Sequence, residues 1–324
     1  MRYAGGRLFQ GLAVILAVTT LTFVLIQSAP GDPMSAWAET SRTVAPEVRA
    51  QARRNWGLDQ PIHVQYLRYL GNLATGNLGV SPARNRPVWD ILRERIPNTL
   101  LLAAAALVVD FFAGIAIALL QARHPGGRVD RWLGAATLTL YSVPVFLLGI
   151  VLFGVFGRAL HWFPIGGMRD PIMYDSLSSG GRALDVLRHL VLPALTLGLV
   201  GAASTARYQR TALLGTLGQG YMRTAQAKGL TERTVLVGHA LRNALLPTIT
   251  LLGLSLPVLL SGAVLVETVF AWPGLGALST EAIGQRDYPV VTAAAILSAT
   301  MVVVGSGLAD LLYRVADPRT REPK

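Results

Sequence analysis

Only two lysines occur in the 324 residues, Lys228 and Lys324, and that scarcity limits the chemistry open to the chain. A phosphate-cradling loop of the G-x-x-x-x-G-K-[ST] type needs a lysine followed by Ser or Thr. Lys228 is followed by Gly229 and Lys324 by nothing in the sequence, so if ATP is used, a partner must bind it. Cysteine is absent, which removes disulfides, zinc–thiolate sites, iron–sulfur clusters and thiol catalysis together. The histidines at 63, 124, 161, 189 and 239 show no HExxH or other metal-ligand spacing. No G-x-S-x-G elbow or hydrolase constellation appears either. The expectation is a chain that is not an enzyme and holds no cofactor or metal.

Two acids sit where acids are expensive. Asp110 falls near the middle of a long apolar run, where a carboxyl is either functional or paired; a helix–helix contact, with the carboxyl protonated, is the plainer reading. Glu267 falls at the end of another apolar run and either shapes a gate or caps the bundle. Asp310 and Arg314 lie one helical turn apart, at i,i+4 spacing.

The sequence AQAKGLTERTVLVGHALRNALLP, residues 225–247, is the most distinctive stretch. It is basic, broken by Gly229 and ended by Pro247, between two apolar runs. Residues from Tyr221 to Lys228 favour a helix that Gly229 stops, with Lys228 placed well at the negative helix end. Thr231 can cap a second helix and Glu232 suits its positive N-terminus. That helix runs through VLVGHALRNALL towards Pro247. Two short helices joined rigidly to a membrane span make a lever for a cytoplasmic partner. Leu230, Val235 and Leu236 are expected to offer it an apolar surface, with Lys228, Glu232 and Arg233 orienting it. A hairpin that merely packs on its own bundle is the competing reading. A DNA-binding helix-turn-helix is disfavoured because both flanks re-enter the membrane within a few residues.

The elements that hold these residues follow from composition. The chain is 52% hydrophobic and 15% charged, against about 25% charged in a soluble domain. Its apolar residues are clustered in runs near the ~18 residues that mark a spanning helix. Spans are expected at 8–27, 99–121, 133–157, 190–207, 246–267 and 289–310. The first is read as an uncleaved helix rather than a signal peptide, since SAPGDP lacks a small-x-small cleavage site. The net charge of +11 is concentrated around Arg123, Arg128 and Arg131, around Arg210, Arg223, Lys228, Arg233 and Arg242, and in the C-terminal tail. By the positive-inside rule those segments and both termini face the cytoplasm. Segment 28–98 is polar and expected outside, with short helices around Pro46–Asn55 and Val64–Leu73. Tyr66, Leu67, Leu70 and Leu73 would form the packed face of the latter.

Residues 225–247 resemble the cytoplasmic EAA loop of binding-protein-dependent ABC importer permeases, whose central glycine is matched by Gly229. The Glu-Ala-Ala opening reads Arg223-Thr224-Ala225 here, and the distance to Leu246-Pro247 is longer. Both departures are similar to the dipeptide, oligopeptide and nickel permeases. The resemblance extends over nearly the whole chain. APGDP, GLDQPIHVQYLRYL, GNLGVS, RIPNTLLL, FPIGG, VETVFAWPGLG, DYPVV and DPR follow in the order that subfamily shows.

The resemblance implies an all-α integral membrane protein with the six-helix type I ABC transmembrane fold, first permease of a pair. The expected organisation is a first helix (1–27), an extracytoplasmic segment (28–98), a type I transmembrane domain (99–310) with its coupling loop at 221–247, and a cytoplasmic tail (311–324). Implied partners are a second homologous permease, two ABC ATPases that bind the ATP, an extracytoplasmic binding protein and membrane lipid, with no nucleic acid. Coupling falls to Arg223, Thr224, Ala225, Lys228, Gly229, Leu230, Glu232, Arg233 and Pro247; Asp110 and Glu267 are pathway or gate candidates. The expected function is di- or oligopeptide import across a bacterial inner membrane. Nickel or another small ligand is the alternative cargo. Proton-coupled secondary transport through Asp110 is a distant rival, disfavoured by the lack of an inverted repeat.

Overall fold

The computed structural model describes residues 2–28, 60–245, 248, 255 and 263–316. Contacts group the chain into two units: Met1–Asn98 with Gly274–Thr300, and Thr99–Pro273 with Met301–Lys324.

The first unit opens with α1 (Arg2–Ser28), whose Phe9–Ser28 portion is apolar enough to span a membrane. Next comes α2 (Ile62–Ala74), close to the expected bounds; the helix expected around Pro46–Asn55 lies outside the described residues. Three of the four residues of the predicted α2 face, Tyr66, Leu70 and Leu73, are half-buried. Tyr66 lies 5.2 Å and Tyr69 5.7 Å from the Phe23 ring of α1, and Gln27 donates to Gln65 at 2.8 Å. Leu67 stays 65% exposed, and Tyr69, which the expected face left out, meets α1.

A two-residue hairpin follows, β1 (Val80–Ser81) against β2 (Arg86–Pro87), antiparallel with Ser81 opposite Arg86. The unit closes with α10 (Leu275–Gly284) and the first turns of α11 (Tyr288–Ala316). The Ser81 hydroxyl donates to the buried Asp287 carboxylate. Arg84 bridges Asp287 at 3.3 Å and Glu281 at 3.0 Å, which ties the hairpin to α10 and α11.

Helix α3 (Val88–Arg123), whose residues from Thr99 onward belong to the second unit, starts well before the expected span at 99. Val88, Ile91 and Leu92 are buried and extend the apolar pattern N-terminally through Pro97. The third expected span, 133–157, is not one helix. It is α4 (Arg128–Ser142) and α5 (Val145–Leu152, continued as a π-helical turn, Phe153–Ala159), meeting at 107°. Pro144 has no N–H for the ladder and forces Val143 into an extended conformation (φ −78°, ψ 130°). The fourth span is longer than 190–207: α6 covers Ser179–Leu217. After it come α7 (Gly220–Ala227), α8 (residues 232–245, π-helical over Thr234–Leu241) and α9 (residues 263–269). Most of the fifth expected span, with Pro247, lies outside the described residues.

The core of this unit joins Leu102 and Ala106 of α3, Leu192 and Leu197 of α6, and Val266, Phe270 and Trp272 at and after α9. Helices α3 and α6 cross so closely that small residues are required. A Cβ at Gly198 would stand 2.5 Å from Val109 Cβ and 2.7 Å from the Ala106 carbonyl, distances no real Cβ tolerates. The described residues thus hold four apolar helices of spanning length, and a fifth span if the bent pair counts as one.

Candidate functional site

The loop carrying Gly229 is built, not slack. Leu217 ends α6, where the Gly218 N–H donates to the Leu214 carbonyl at 3.2 Å and the Gln219 N–H to the Thr216 carbonyl at 3.1 Å. After α7, Lys228 N–H donates to Thr224 O at 3.1 Å, the last helical bond before the chain reverses. Gly229 makes that reversal at φ +76°, in the left-handed region where a Cβ is penalised. No atom lies within 4 Å of where its Cβ would be, so backbone conformation alone demands glycine there. Thr231 then caps α8: its hydroxyl accepts from Thr234 N–H at 3.3 Å, and its carbonyl accepts from Val235 N–H at 3.0 Å. Both sequence expectations about this turn match the geometry. The π-helical winding of α8 had no sequence signature.

The two short helices are fixed to each other and to the spans. Asn243 donates to the Tyr221 hydroxyl at 2.9 Å. Met222 of α7 and Val235, Leu236, Ala240 and Ala244 of α8 are buried with Ala118 and Ala122 of α3 and Leu213 of α6. That corrects one expectation. Val235 and Leu236 do not form an outward apolar surface; they are the residues that mount α8 on its own bundle, because π-helical spacing turns them inward. The outward apolar groups are Tyr221 (46% exposed), Leu230 (40%) and Val237 (45%).

Thr224, Lys228, Gly229, Glu232 and Arg233 are exposed around them, and Ala225 is half-buried. The backbone of Arg223 lies in α7; its side chain, like Pro247, is outside the described residues. Glu232 is also engaged within the chain, 3.3 Å from Arg123 at the end of α3.

Behind the loop is a clamp that sequence reasoning missed. Arg210 of α6 grips Asp130 of α4 with two bonds, Nε to Oδ1 at 2.8 Å and Nη2 to Oδ2 at 2.7 Å. Gly126 N–H and Gln121 add donors to the same carboxylate at 2.8 Å and 3.2 Å. Asp130 is 6% exposed, so this bidentate pair is of the strong kind. The available signal was that Asp130 is a lone acid among Arg123, Arg128 and Arg131. Immediately before Arg210, Gln209 accepts a hydrogen bond from the Thr248 hydroxyl, which links α6 to the chain beyond α8.

Asp110 and Glu267 are both fully buried but belong to different places. Asp110 faces α6, where a Cβ on Gly201 would come within 2.7 Å of its Oδ2. The Thr205 hydroxyl is beside it, yet neither carboxyl oxygen makes a hydrogen bond of good geometry. Glu267 accepts from the Thr99 hydroxyl at 2.7 Å, and its carbonyl accepts from Trp272 N–H at 2.8 Å. Thr99 and Asp110 are eleven residues apart on α3, about 16 Å at 1.5 Å per residue, so the two acids do not form one site. Neither approaches a cluster of ligands, and among the described residues no group of three metal-ligating side chains occurs.

Apolar helices of spanning length, with a glycine-centred helical pair mounted rigidly on two of them, define a multi-span membrane subunit that presents a stiff loop to solvent. The comparisons give that class a family. The description "Binding-protein-dependent transport system inner membrane component" matches residues 112–322, and the N-terminal description of the same component matches residues 1–103. The chain belongs to this family of ABC importer permeases.

The chain is 39% identical to the oligopeptide transport system permease protein AppB of Bacillus subtilis, over 97% of each chain. It is 40% identical to the di/tripeptide transport system permease protein DppB of Pseudomonas aeruginosa, over 97% of this chain and 96% of that one. The dipeptide permease DppB of Escherichia coli K12 is 37% identical with the same coverage. Among solved structures, the inward-facing MetNI methionine ABC transporter has a TM-score of 0.56 at 19% identity, covering 71% of this chain and 98% of that one. At that identity the likeness speaks for the fold, and it agrees with the helical arrangement described above.

Proposed function

We propose that this chain is the first of two permease subunits of a bacterial ABC importer for di- or oligopeptides. The observation that carries the cargo is the set of relatives named for oligopeptide, di/tripeptide and dipeptide transport, each aligned over nearly the full chain. The observation that carries the coupling is the Gly229 turn, mounted by buried side chains on α3 and α6 while Leu230, Val237, Lys228 and Arg233 face outward.

Two partner ATPases bind and hydrolyse the ATP, since the sequence has no P-loop. Their closure displaces α7 and α8 as one piece. The displacement passes directly into α6 and, through Pro247, into the fifth span, and the pathway opens alternately to the two sides. An extracytoplasmic binding protein delivers the peptide, and this chain contributes no covalent chemistry and no cofactor. The topology that fits this role is six spans with both termini cytoplasmic, residues 28–98 outside and the loop 221–247 inside.

Uptake into membrane vesicles carrying the whole transporter tests the reading, with labelled dipeptide, longer peptide and nickel offered in parallel. ATP-dependent accumulation of peptide is expected. Accumulation of nickel alone would replace the cargo. Uptake that ignores ATP and follows a proton gradient would overturn the ABC mechanism and make Asp110 the operative residue.

A further inference from the structure

Within the first unit, α1, α2, the hairpin and the start of α11 line an open cavity of about 530 Å³. That volume falls in the roughly 300–1,000 Å³ range of small-molecule sites. Its depth in a membrane follows from the sequence. Phe23, Ile26 and Gln27 lie in the last turns of the spanning portion Phe9–Ser28, and Tyr288–Ile296 are the first turns of the spanning portion Tyr288–Ala309. The end of one span and the beginning of the other meet here, so the cavity stands at one membrane face. Helix α2, 13 residues long and too short to cross, closes it from the side as an interfacial helix does. Aromatic Tyr66, Tyr69 and Tyr288 at this level fit the interfacial belt.

The lining is mixed. Phe23, Ile26, Leu73, Ala293 and Ile296 are apolar, while Arg68, Asn72 and Asn77 are polar. Among the described lining residues Arg68 is the one cation and no acid is present, and among the described residues no ion pair holds Arg68. The Tyr69 hydroxyl is shut off from water with no hydrogen-bond partner, a donor without an acceptor. Burial, and secondarily Tyr66, push its pKa up to about 12, so it stays a donor at any working pH. Apolar side chains, a cation without an ion-pair partner among the described residues and an unanswered buried hydroxyl together fit an amphiphile with an anionic, oxygen-rich head.

We propose that this cavity is a binding site for an anionic phospholipid of the adjoining leaflet, its phosphate at Arg68 and its acyl carbons along Phe23, Ile26 and Ile296. The site fixes α2 to the two spans through a molecule the membrane supplies. It is separate from the coupling loop and does not depend on which solute is carried.

Native mass spectrometry of the full-length chain, extracted with its membrane partners in mild detergent, tests this with phosphatidylglycerol and phosphatidylcholine titrated separately. One arginine near an anionic headgroup predicts about fivefold tighter binding of phosphatidylglycerol. Arg68→Gln, at an exposed position, should abolish that preference while leaving the assembly intact. Ala293→Phe, which adds bulk among the apolar lining residues, should reduce retention of both lipids. Equal binding of the two lipids by the wild-type chain, or an undiminished preference in Arg68→Gln, overturns the proposal. Inorganic phosphate binding as tightly as the lipid would make this a simple anion site. A tripeptide that displaces the lipid with the same Arg68 dependence would assign the cavity to the transported solute, and either result also overturns it.

Discussion

Replacing Gly198 with alanine adds one methyl group to α6 at its closest approach to α3, and the structure gives the size of the penalty. The new Cβ would lie 2.5 Å from Val109 Cβ, and 2.7 Å from both the Ala106 carbonyl oxygen and Val109 Cγ1. Carbon pairs prefer about 3.5–4.0 Å, so the helices must separate by roughly 1 Å, and neither a carbonyl nor a β-branched Cβ can rotate aside. Overpacking of this kind costs about 1–3 kcal/mol. At about 3 °C per kcal/mol, a typical slope for a unit of this size, the melting temperature should fall by roughly 3–9 °C. Two other glycines of α6 supply the scale. Gly201→Ala meets the end of the Asp110 side chain at 2.7 Å, which can swing away, so its loss should be smaller. Gly215→Ala meets nothing within 4 Å and should stabilise by up to about 1 kcal/mol through helix propensity. The assay is thermal unfolding of the detergent-purified transporter, followed by size-exclusion chromatography after heating. The expected order of stability is Gly215→Ala, wild type, Gly201→Ala, Gly198→Ala. A Gly198→Ala protein as stable as Gly215→Ala would refute the close crossing and the packing argument built on it.

Three further outcomes are expected. Gly229→Val forces a β-branched residue to φ +76°, a strain of about 1–3 kcal/mol confined to an exposed turn; membrane insertion should persist while ATP-driven uptake is lost, and normal uptake would rule out the coupling role. Asp130→Asn leaves Arg210 without its carboxylate and should destabilise by about 1–3 kcal/mol, and the exchanged pair Asp130→Arg with Arg210→Asp should recover part of the loss if the bidentate contact is what matters. Asp170 accepts from Met173 and Ile172 N–H at 2.8 Å each, and these two bonds, Met173's first, hold its carboxyl below the usual carboxylate range. A depressed folded-state pKa contributes stability above the unfolded value and loses it as pH falls through the folded one. Hydrogen exchange at Ile172 and Met173 should therefore stay slow at pH values where an ordinary aspartate is already protonated, and then accelerate.

How far the sequence revealed this depended on whether a signal was local. Apolar runs placed α1, α3, α6 and α11 because membrane burial needs length and little else. Gly229 and Thr231 were legible because a turn and a cap are made by the residues that form them. The break between α4 and α5 was written just as locally, in Pro144 after Val143, but the surrounding hydrophobicity hid it: a run that is apolar on both sides of a proline reads as one span. The contacts that lock the loop were not legible at all. Asp130 and Arg210 are eighty residues apart, and Glu267 meets Thr99 from the far end of the chain, so only the folded arrangement pairs them.

The same distinction separates the parts of the loop. Exposed Lys228, Leu230, Arg233 and Val237 could change with the partner they meet without disturbing the bundle. Met222, Val235, Leu236 and Ala240 cannot, because each is 8% exposed or less and together they join α7 and α8 to α3 and α6. A lever transmits force only if its base is stiffer than its contact. The Asp130–Arg210 clamp and the Gln209–Thr248 bond supply that stiffness on the side of α6 next to the loop. Loosening the base should therefore uncouple ATP hydrolysis from uptake even when the outward residues are intact. Asp130→Asn, measured for both activities in one preparation, should keep ATPase turnover while uptake per ATP falls; a parallel fall in both would make the clamp a matter of stability alone.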